Sequence, residues 1–488
     1  MLRAAALLTA VVALAFAGSA SAKVLRVGKH GSYKTIQKAV NAAHKGDWIL
    51  IAPGDYKEKV RIKTDRLHLR GMSRTRVVVD GTKSGPACSS KAKDQNFKRG
   101  DDGNGIEVDK ANGVWIENLT ACNFLGEGNQ IWWNGGDGSG KIGMTSWYGS
   151  YLSTTSTYFK AKKPQATYGV FASNARGPGR LTDSYGTNMN DAALYIGACH
   201  PCNAVIQRFH GEYNRLGYSG TNSSGVQLAD SEFNDNFAGI TTDSENNDDA
   251  PSPQLGSTFE NNYIHDNNNP NATADLGGLR AIGVGLVVAG GRNNRIIRNR
   301  IENNGAWGIL LVPLIDIGKP PKVAHCQGGQ ATKGPGGTVT CFFDDFANQV
   351  IGNSLKNNGF FGNATNGDLG DISGQNTPGN CWRDNARTDG TAPSSEPSDL
   401  QSTHSDCSAR GHGDEIASAL ADQALCDTEV LSKCANDATH HYPRTKKVKV
   451  HKLPRLKGMK NPCSGVPVNP WCPPNVTTRS AGRAARRL

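Results

Sequence analysis

The chain has 488 residues, 37% of them hydrophobic, and a formal net charge of +11, so it is long enough for a large core or several domains. After one apolar run near the start, no stretch is long enough to span a membrane, which excludes a helical membrane protein. Twelve cysteines suit an oxidising compartment.

Residues 1–22 have the pattern of a secretory signal peptide. Arg3 supplies the positive charge, residues 4–16 form a short apolar run, and Ala20-Ser21-Ala22 is a small-residue cleavage site. The run is too short for a membrane anchor. We therefore expect a protein that is secreted, extracellular or held in the cell envelope, which argues against nucleic acid as its partner.

The positive charge is concentrated at the carboxyl end. From Arg444 onward there are twelve Lys and Arg and no Asp or Glu, so that residues 23–443 carry a net charge of −2 once Arg3 is also left out. A basic segment can hold an anionic wall polymer or a membrane surface. The other interpretation, a flexible solubilising end over residues 444–488, stays open.

Residues 23–81 predict an N-terminal cap followed by the first coils. A short strand at Val24–Val27 precedes a helical pattern over residues 33–44, and strands separated by glycine turns follow. One amphipathic helix feeding short strands is typical of a solenoid end, which would otherwise expose apolar core and free strand edges.

A nine-residue pattern then recurs and organises the centre of the chain. It has an apolar residue at position 0, Asn or Ser at position 3, an apolar residue at position 5, and Asn or Asp at positions 7 and 8. The four copies are residues 228–236, 259–267, 296–304 and 350–358. Units that cannot bury their apolar face alone imply a solenoid, with asparagines stacked at its corners.

The segment Thr35-Ile36-Gln37-Lys38-Ala39-Val40, then Gly46-Asp47 and Ile51-Ala52-Pro53-Gly54-Asp55-Tyr56, resembles the first coil of the pectin-lyase-like superfamily. The later Asn-rich units resemble the repeats of carbohydrate-binding and sugar-hydrolase members and of periplasmic copper-maturation proteins. The resemblance covers roughly residues 24–385. It implies an all-β, single-stranded, right-handed parallel β-helix, with the helix proper over residues 82–390. Because a fold does not fix a reaction, the resemblance leaves the activity open.

The spacing between repeats marks candidate binding loops. From Ile206 onward, successive position-0 residues are separated by 22, 31, 37 and 54 residues. One solenoid turn with three short strands needs about 22 residues. The surplus must leave the solenoid as loops, near residues 245–256, 267–278 and 317–347. Such loops are where binding surfaces usually lie.

Beyond the repeats, residues 391–443 predict a linker and a small helical, Cys-containing segment. Candidate disulfides are Cys199–Cys202, Cys326–Cys341, Cys426–Cys434 and Cys463–Cys472, although connectivity does not follow from sequence. The Cys199-His-Pro-Cys202 motif has a redox or zinc interpretation, but no second motif completes a zinc set.

Several acidic residues are candidates for chemistry. Asp183, Asp191 and Asp230 lie on or beside successive coils and are candidate catalytic residues, or else turn aspartates that bond their own backbone. Asp243, Glu245, Asp248 and Asp249 start a long loop and form a candidate calcium site. The alternative is a solvated acidic turn, because the spacing matches no EF-hand.

Candidate substrate-binding residues are aromatic or basic. Trp132, Trp133, Trp147 and Tyr148 lie in a Gly- and Ser-rich stretch where exposed rings would stack on sugars. Their alternative is aromatic stacking inside the solenoid. Arg280 and Arg292 belong to a cationic patch that would face an anionic polymer or only solvent.

These observations predict a secreted, monomeric β-helix protein that binds a polysaccharide or cell-wall polymer. Whether it cleaves or epimerises that polymer, as a lyase or a glycoside hydrolase does, stays open. The alternative is a noncatalytic surface or adhesion scaffold, and a third hypothesis is metal delivery. The enzyme hypothesis requires Asp183, Asp191, Asp230 and Asp243 to converge in one groove with a basic side chain.

Overall fold

The protein forms a long solenoid of short parallel strands. The computed structural model describes residues 22–97, 103–161, 163–247, 252–272, 282–316, 326, 328–333, 339–374, 378–409, 419–427, 434–444 and 448–474. Each turn of the chain contributes one strand to each of three parallel sheets, which we name A, B and C. This arrangement is the solenoid that the repeat predicted, in the form of the right-handed parallel β-helix that the resemblance implied.

The strands are numbered β1–β37 along the chain. Sheet A contains β1 (Val24–Val27), β2 (Trp48–Ile51), β5 (His68–Gly71), β8 (Val114–Glu117), β11 (Met144–Ser150), β14 (Ala175–Thr182), β17 (Ala204–Gln207), β20 (Val226–Ala229), β23 (Thr258–Glu260), β26 (Arg295–Ile297), β32 (Gln349–Ile351) and β35 (Cys381–Arg383). Sheet B contains β3 (Gly54–Tyr56), β6 (Val77–Asp80), β9 (Thr120–Cys122), β12 (Ser153–Thr155), β15 (Tyr185–Thr187), β18 (His210–Glu212), β21 (Glu232–Asn234), β24 (Tyr263–His265), β27 (Arg300–Glu302), β33 (Ser354–Lys356) and β36 (Ala386–Arg387).

Sheet C contains β4 (Val60–Ile62), β7 (Ile106–Asp109), β10 (Ile131–Asn134), β13 (Val170–Ser173), β16 (Ala192–Gly197), β19 (Leu216–Ser219), β22 (Ala238–Asp243), β25 (Val284–Ala289), β28 (Trp307–Val312), β34 (Gly367–Asp371) and β37 (Ser395–Glu396). A small antiparallel sheet of β29 (Leu314–Asp316), β30 (Gln330–Lys333) and β31 (Val339–Phe343) projects from the corner between sheets C and A.

The two apolar positions of the repeat build the core. The position-0 residues pair from coil to coil in sheet A, in the order Leu228, Phe259, Ile296 and Val350. All four are fully buried. The position-5 residues do the same in sheet B. Since successive strand residues point to opposite faces, this register fixes which side chains reach solvent.

The repeat asparagines form ladders inside the corners. Asn299 donates to the Oδ1 atom of Asn353 at 3.0 Å and accepts from the side chain of Asn262 at 3.0 Å. The position-8 residues Asn267 and Asn304 are linked in the same way, at 3.2 Å. The ladders satisfy buried corner amides, and stacking is therefore the role of these asparagines.

Helix α1 (Ile36–Ala42) buries Ile36, Ala39 and Val40. The Glu58 carboxylate accepts from the backbone amides of Ile36 and Gln37, at 2.8 and 2.9 Å, which satisfies the start of the helix.

Three further short helices lie elsewhere in the described part of the chain. They are a 3₁₀ turn at Ala92–Asp94, α2 (Leu400–Thr403) and α3 (Ala419–Asp427), the last inside the predicted helical segment. Across the described residues, no helix is long and apolar enough to cross a membrane.

All twelve cysteines are paired. The four expected bonds, Cys199–Cys202, Cys326–Cys341, Cys426–Cys434 and Cys463–Cys472, are present. The other two are Cys88–Cys122 and Cys381–Cys407. The Cys199-His-Pro-Cys202 motif is thus a disulfide in this structure rather than a set of metal ligands.

The basic tail is not a free end over residues 448–474. These residues run back along the solenoid from near Asn271 towards the first coil, and we call residues 448–464 the strap. The expectation of a flexible end is wrong for this stretch. Sequence could not reveal this, because the contacts join residues far apart in the chain, such as Asn188 and His451, which are 263 positions apart.

Candidate functional site

The outer face of sheet C carries a row of aromatic rings. Trp132, Phe171 and Tyr195 are neighbours in the strand register. The ring centroids of Trp132 and Phe171 are 5.0 Å apart, and those of Phe171 and Tyr195 are 4.9 Å apart. Tyr168 joins the row with its centroid 4.9 Å from Tyr195. The rings form a continuous apolar wall along successive coils.

Gly197 determines where Tyr195 lies. A Cβ atom at Gly197 would meet the Tyr195 hydroxyl oxygen at 2.6 Å and a ring carbon at 2.7 Å. The Tyr195 ring therefore lies along its own strand, above the glycine. This conformation directs the hydroxyl towards Thr221 and Asp243, which follow on the next two coils.

Asp243 and Glu245 lie together at this end of the wall, and the charges of Asp316 and Asp191 act on both. Asp243 ends β22 and accepts a hydrogen bond from the Thr221 hydroxyl at 2.9 Å. Glu245 follows two residues later, and the side chain of Asn222 holds its backbone amide at 2.9 Å. A hydrogen bond joins the Glu245 and Asp243 carboxyls. The negative charge of Asp191 contributes to raising the pKa values of both Asp243 and Glu245.

The Asp243–Glu245 pair shares a proton near neutral pH. The negative charge of Asp243, followed by burial, raises the pKa of Glu245 to about 8. Burial raises the pKa of Asp243 to about 6, while its hydrogen bonds to Thr221 and Glu245 oppose that rise. The two carboxyls therefore titrate as one coupled pair, which holds a single proton between these values.

Asp191 has a different environment. Burial raises its pKa, whereas the positive charge of Arg215 and a hydrogen bond from the Tyr168 hydroxyl, at 3.2 Å, stabilise its ionised form. Burial also holds the pKa values of Tyr168 and Tyr195 well above the ordinary tyrosine value, so both remain neutral donors. Perturbed carboxyls beside an aromatic wall are features that mark functional sites.

Asp183 and Asp230 lie elsewhere. Both are at the corner between sheets A and B, with positive φ angles of 52° and 50°. Asp183 forms a two-point ion pair with Arg208 at 2.8 and 2.9 Å, which lowers its pKa. The expected convergence of these residues with Asp191 and Asp243 is therefore wrong, and the turn interpretation describes them better.

The aromatic substrate platform is also only partly present. Trp133 and Trp147 point into the core, are fully buried, and pack against each other with ring centroids 5.3 Å apart. Tyr148 is on the outer face of sheet A, stacked on Trp115 at 4.1 Å. That close stacking occupies one face of its ring. Only Trp132 is on the same sheet face as the carboxyl groups.

The remaining predicted residues are Arg280, Arg292, Asp248 and Asp249. Arg280, Asp248 and Asp249 lie outside the described residues. Arg292 is at the corner between sheets C and A, where its guanidinium lies over Phe346 at 4.7 Å. The described part of the chain contains no group of three or more His, Cys, Asp or Glu side chains placed to hold a metal ion. Calcium binding by Asp243 and Glu245 thus stays an untested prediction.

Sequence reasoning missed Tyr168, Tyr195, Thr221 and Arg215. One signal was present, because Phe171 and Tyr195 lie 24 residues apart, which is the length of one coil. The pairing of Asp191 with Asp243 and Glu245 had no such signal.

Part of the chain matches a known family. A family model described as periplasmic copper-binding protein (NosD) matches residues 150–392, just under half of the chain. No curated protein matches the chain.

Solved structures with a similar fold include the mannuronan C-5 epimerase AlgE4 A-module of Azotobacter vinelandii, with 13% identity, 72% of this chain and 89% of that chain covered, and a TM-score of 0.43. An alginate lyase of Paenibacillus sp. str. FPU-7 has 12% identity, coverages of 59% and 91%, and a TM-score of 0.38. XylC in complex with xylose has 10% identity, coverages of 68% and 75%, and a TM-score of 0.42.

Proposed function

Because the chain has the right-handed parallel β-helix fold of the pectin-lyase-like superfamily, we propose that it is an exported protein that binds a polysaccharide across the outer face of sheet C and cleaves it there by acid–base chemistry. The observation that carries the proposal is the Asp243–Glu245 pair next to Asp191 and the aromatic wall. A flat parallel sheet beside projecting loops is a natural groove for a linear polymer.

Hydrolysis fits the carboxyl groups better than elimination does. Hydrolysis needs one protonated carboxyl group that protonates the leaving oxygen. It also needs a second, ionised carboxylate that either activates a water molecule or attacks the sugar carbon. Glu245, with its pKa about 8, is the proposed acid. Asp191 is the proposed second group; burial raises its pKa, and Arg215 and the Tyr168 hydroxyl oppose that rise by favouring the carboxylate.

Elimination would instead need a base that removes a carbon-bound proton, together with groups that neutralise a uronate carboxylate. The two tyrosines at the site are held neutral, because burial raises the pKa values of both Tyr168 and Tyr195. The site is also rich in carboxyl groups, which would repel a uronate. These features support a glycoside hydrolase over a lyase.

Location and assembly belong to the same proposal. The signal-like residues 1–22 and the six disulfides support an extracellular or cell-envelope protein. We propose that it acts there as a monomer.

The test is incubation of the purified protein with a panel of neutral and uronic-acid polysaccharides, with and without calcium. New reducing ends without unsaturated products are expected, and they should fall at least a hundredfold in the Glu245→Gln and Asp191→Asn variants. Asp183→Asn is the matched control, because that aspartate lies at a different corner.

Unsaturated ends would show a lyase instead and contradict the roles assigned to Glu245 and Asp191. No change across the panel, together with binding to one of its polymers, would support the noncatalytic scaffold. Equal loss in the Asp183→Asn control would show a general folding defect and remove the support for this site.

A further inference from the structure

The strap lies on the solenoid with its basic side chains turned outward. Between residues 448 and 460, every exposed residue is a Lys or Arg, and the others are half-buried. The exposed residues are Lys449, Lys452, Arg455, Lys457 and Lys460. The strap carries no regular secondary structure. The charged side chains of the strap therefore face solvent, and other groups hold the strap in place.

Those groups belong to the solenoid, and they contact the main chain of the strap. Asn188 accepts from the backbone amide of His451 at 2.8 Å and donates to its carbonyl oxygen at 2.9 Å. Asn118 accepts from the amide of Met459 at 2.9 Å. This pattern is how sheet edges and peptide grooves recognise an extended chain, with little dependence on its side chains.

Two buried arginines complete the groove. Arg74 donates to the carbonyl oxygen of Lys457 at 2.9 Å, and Arg70 donates to those of Pro462 and Ser464 at 3.1 and 2.6 Å. The solenoid itself orients both guanidinium groups. Arg70 forms a two-point contact with Glu117, and Arg74 is bonded to the Ser153 hydroxyl at 2.7 Å. The groove is thus built from side chains that are already fixed.

Among the strap side chains, one makes a specific aromatic contact with this groove. The His451 ring stacks on Tyr213 with centroids 4.1 Å apart, and its Nε2 atom is 3.4 Å from the Glu212 carboxylate. At the other end, the loop closed by the Cys463–Cys472 disulfide packs against Trp48 and Leu50 of the first coils. The strap is therefore held at both ends.

We propose that the side of the solenoid formed by Arg70, Arg74, Asn118 and Asn188 is a binding groove for an extended polypeptide, filled by the chain's own strap. The Cys463–Cys472 loop is its latch. The closed loop fixes the shape of the segment that packs against Trp48 and Leu50, so that less conformational freedom is lost when the strap binds. Opening the loop frees that end and speeds release of the strap.

The experiment uses the full chain with a specific protease site placed at residues 445–447. After cleavage, the fragment of residues 448–488 should co-elute with the body on size-exclusion chromatography. A labelled, oxidised peptide of residues 448–474 should then exchange with it. The Cys463→Ser/Cys472→Ser variant should release the fragment at least tenfold faster, whereas the matched Cys199→Ser/Cys202→Ser variant should not.

Peptide chemistry tests the main-chain recognition. N-methylation of the His451 and Met459 amides should weaken exchange at least tenfold, because it removes both donors to asparagine. Replacing Lys452, Arg455, Lys457 and Lys460 by Gln should change it less than threefold. The proposal is overturned if the fragment leaves the oxidised body at once on cleavage, if the Gln peptide loses binding as the methylated one does, or if the strap is found exchanged between two copies.

Discussion

Replacing Asp243 by Asn tests the origin of the Glu245 proton. The amide keeps an oxygen for the Thr221 hydroxyl but removes the charge that is the largest cause of the raised Glu245 pKa. Two unit charges about 4–5 Å apart interact by about 3–4 kcal/mol at an effective dielectric constant of about 20. Since about 1.4 kcal/mol corresponds to one pKa unit, the pKa of Glu245 should fall from about 8 to roughly 5–6.

The assay is a carbon-13 NMR titration of the glutamate carboxyls, with Glu245→Gln identifying the resonance. In parallel, the alkaline limb of any cleavage activity should move to lower pH, because the proposed acid then loses its proton earlier. Asp183→Asn is the control and should leave the Glu245 titration unchanged. A Glu245 pKa that stays within half a unit of the wild-type value in Asp243→Asn would refute the reasoning.

The raised pKa of Glu245 also predicts how the free energy of unfolding depends on pH. The folded-state pKa of Glu245 is raised above its ordinary value of 4.5, so the folded chain holds a proton that the unfolded chain has lost. The free energy of unfolding should therefore decrease as pH rises from about 4.5 to about 8. Chemical denaturation of Asp243→Asn should show a flatter dependence over this window, and an equally steep dependence would contradict the assignment.

Three further outcomes follow from packing and burial. Gly197→Ala should press on the Thr221 carbonyl oxygen and the Tyr195 ring and destabilise the protein by roughly 1–3 kcal/mol in thermal unfolding, whereas an unchanged Tm would contradict the tight contacts. Asn299→Ala breaks a buried ladder and should cost roughly 2–4 kcal/mol in the same measurement, and a cost below about 0.5 kcal/mol would contradict the role of the ladder. Burial raises the pKa of Asp427 to about 8, so Asp427→Asn should stabilise the protein at pH 9 more than at pH 4 in urea unfolding.

The repeat determined the fold because its positions have a direct geometric meaning. An apolar residue at position 0 and another at position 5 place one side chain per coil into the core on two sheets, and the structure stacks Phe259 on Ile296 in that register. Asparagine at positions 3 and 8 satisfies buried corner amides, as Asn299 and Asn304 do. These relations are local and periodic, so a single sequence displays them. Disulfides between cysteines close in sequence were predictable for a similar reason.

For the candidate site, such reasoning named Asp191, Asp243 and Glu245 but could not separate them from Asp183 and Asp230. The charge of Asp191 acts on Glu245 because sheet C places strands from different coils side by side, and the corner at which a turn residue lies decides which sheet face it joins. By the same rule, Asp183, only eight positions before Asp191, lies at the corner between sheets A and B. Sequence distance within one coil is a poor guide to position, because a few residues carry the chain around a corner.

The sequence by itself thus determined the solenoid, its core positions and its asparagine ladders, because each depends on spacing within one coil or between successive coils. Only the tertiary structure decided which carboxyl groups raise one another's pKa, which tryptophans are buried, and where the basic tail lies. The strap is the clearest case, since Asn188 and His451 are 263 positions apart and their contact follows from the length and direction of the whole solenoid.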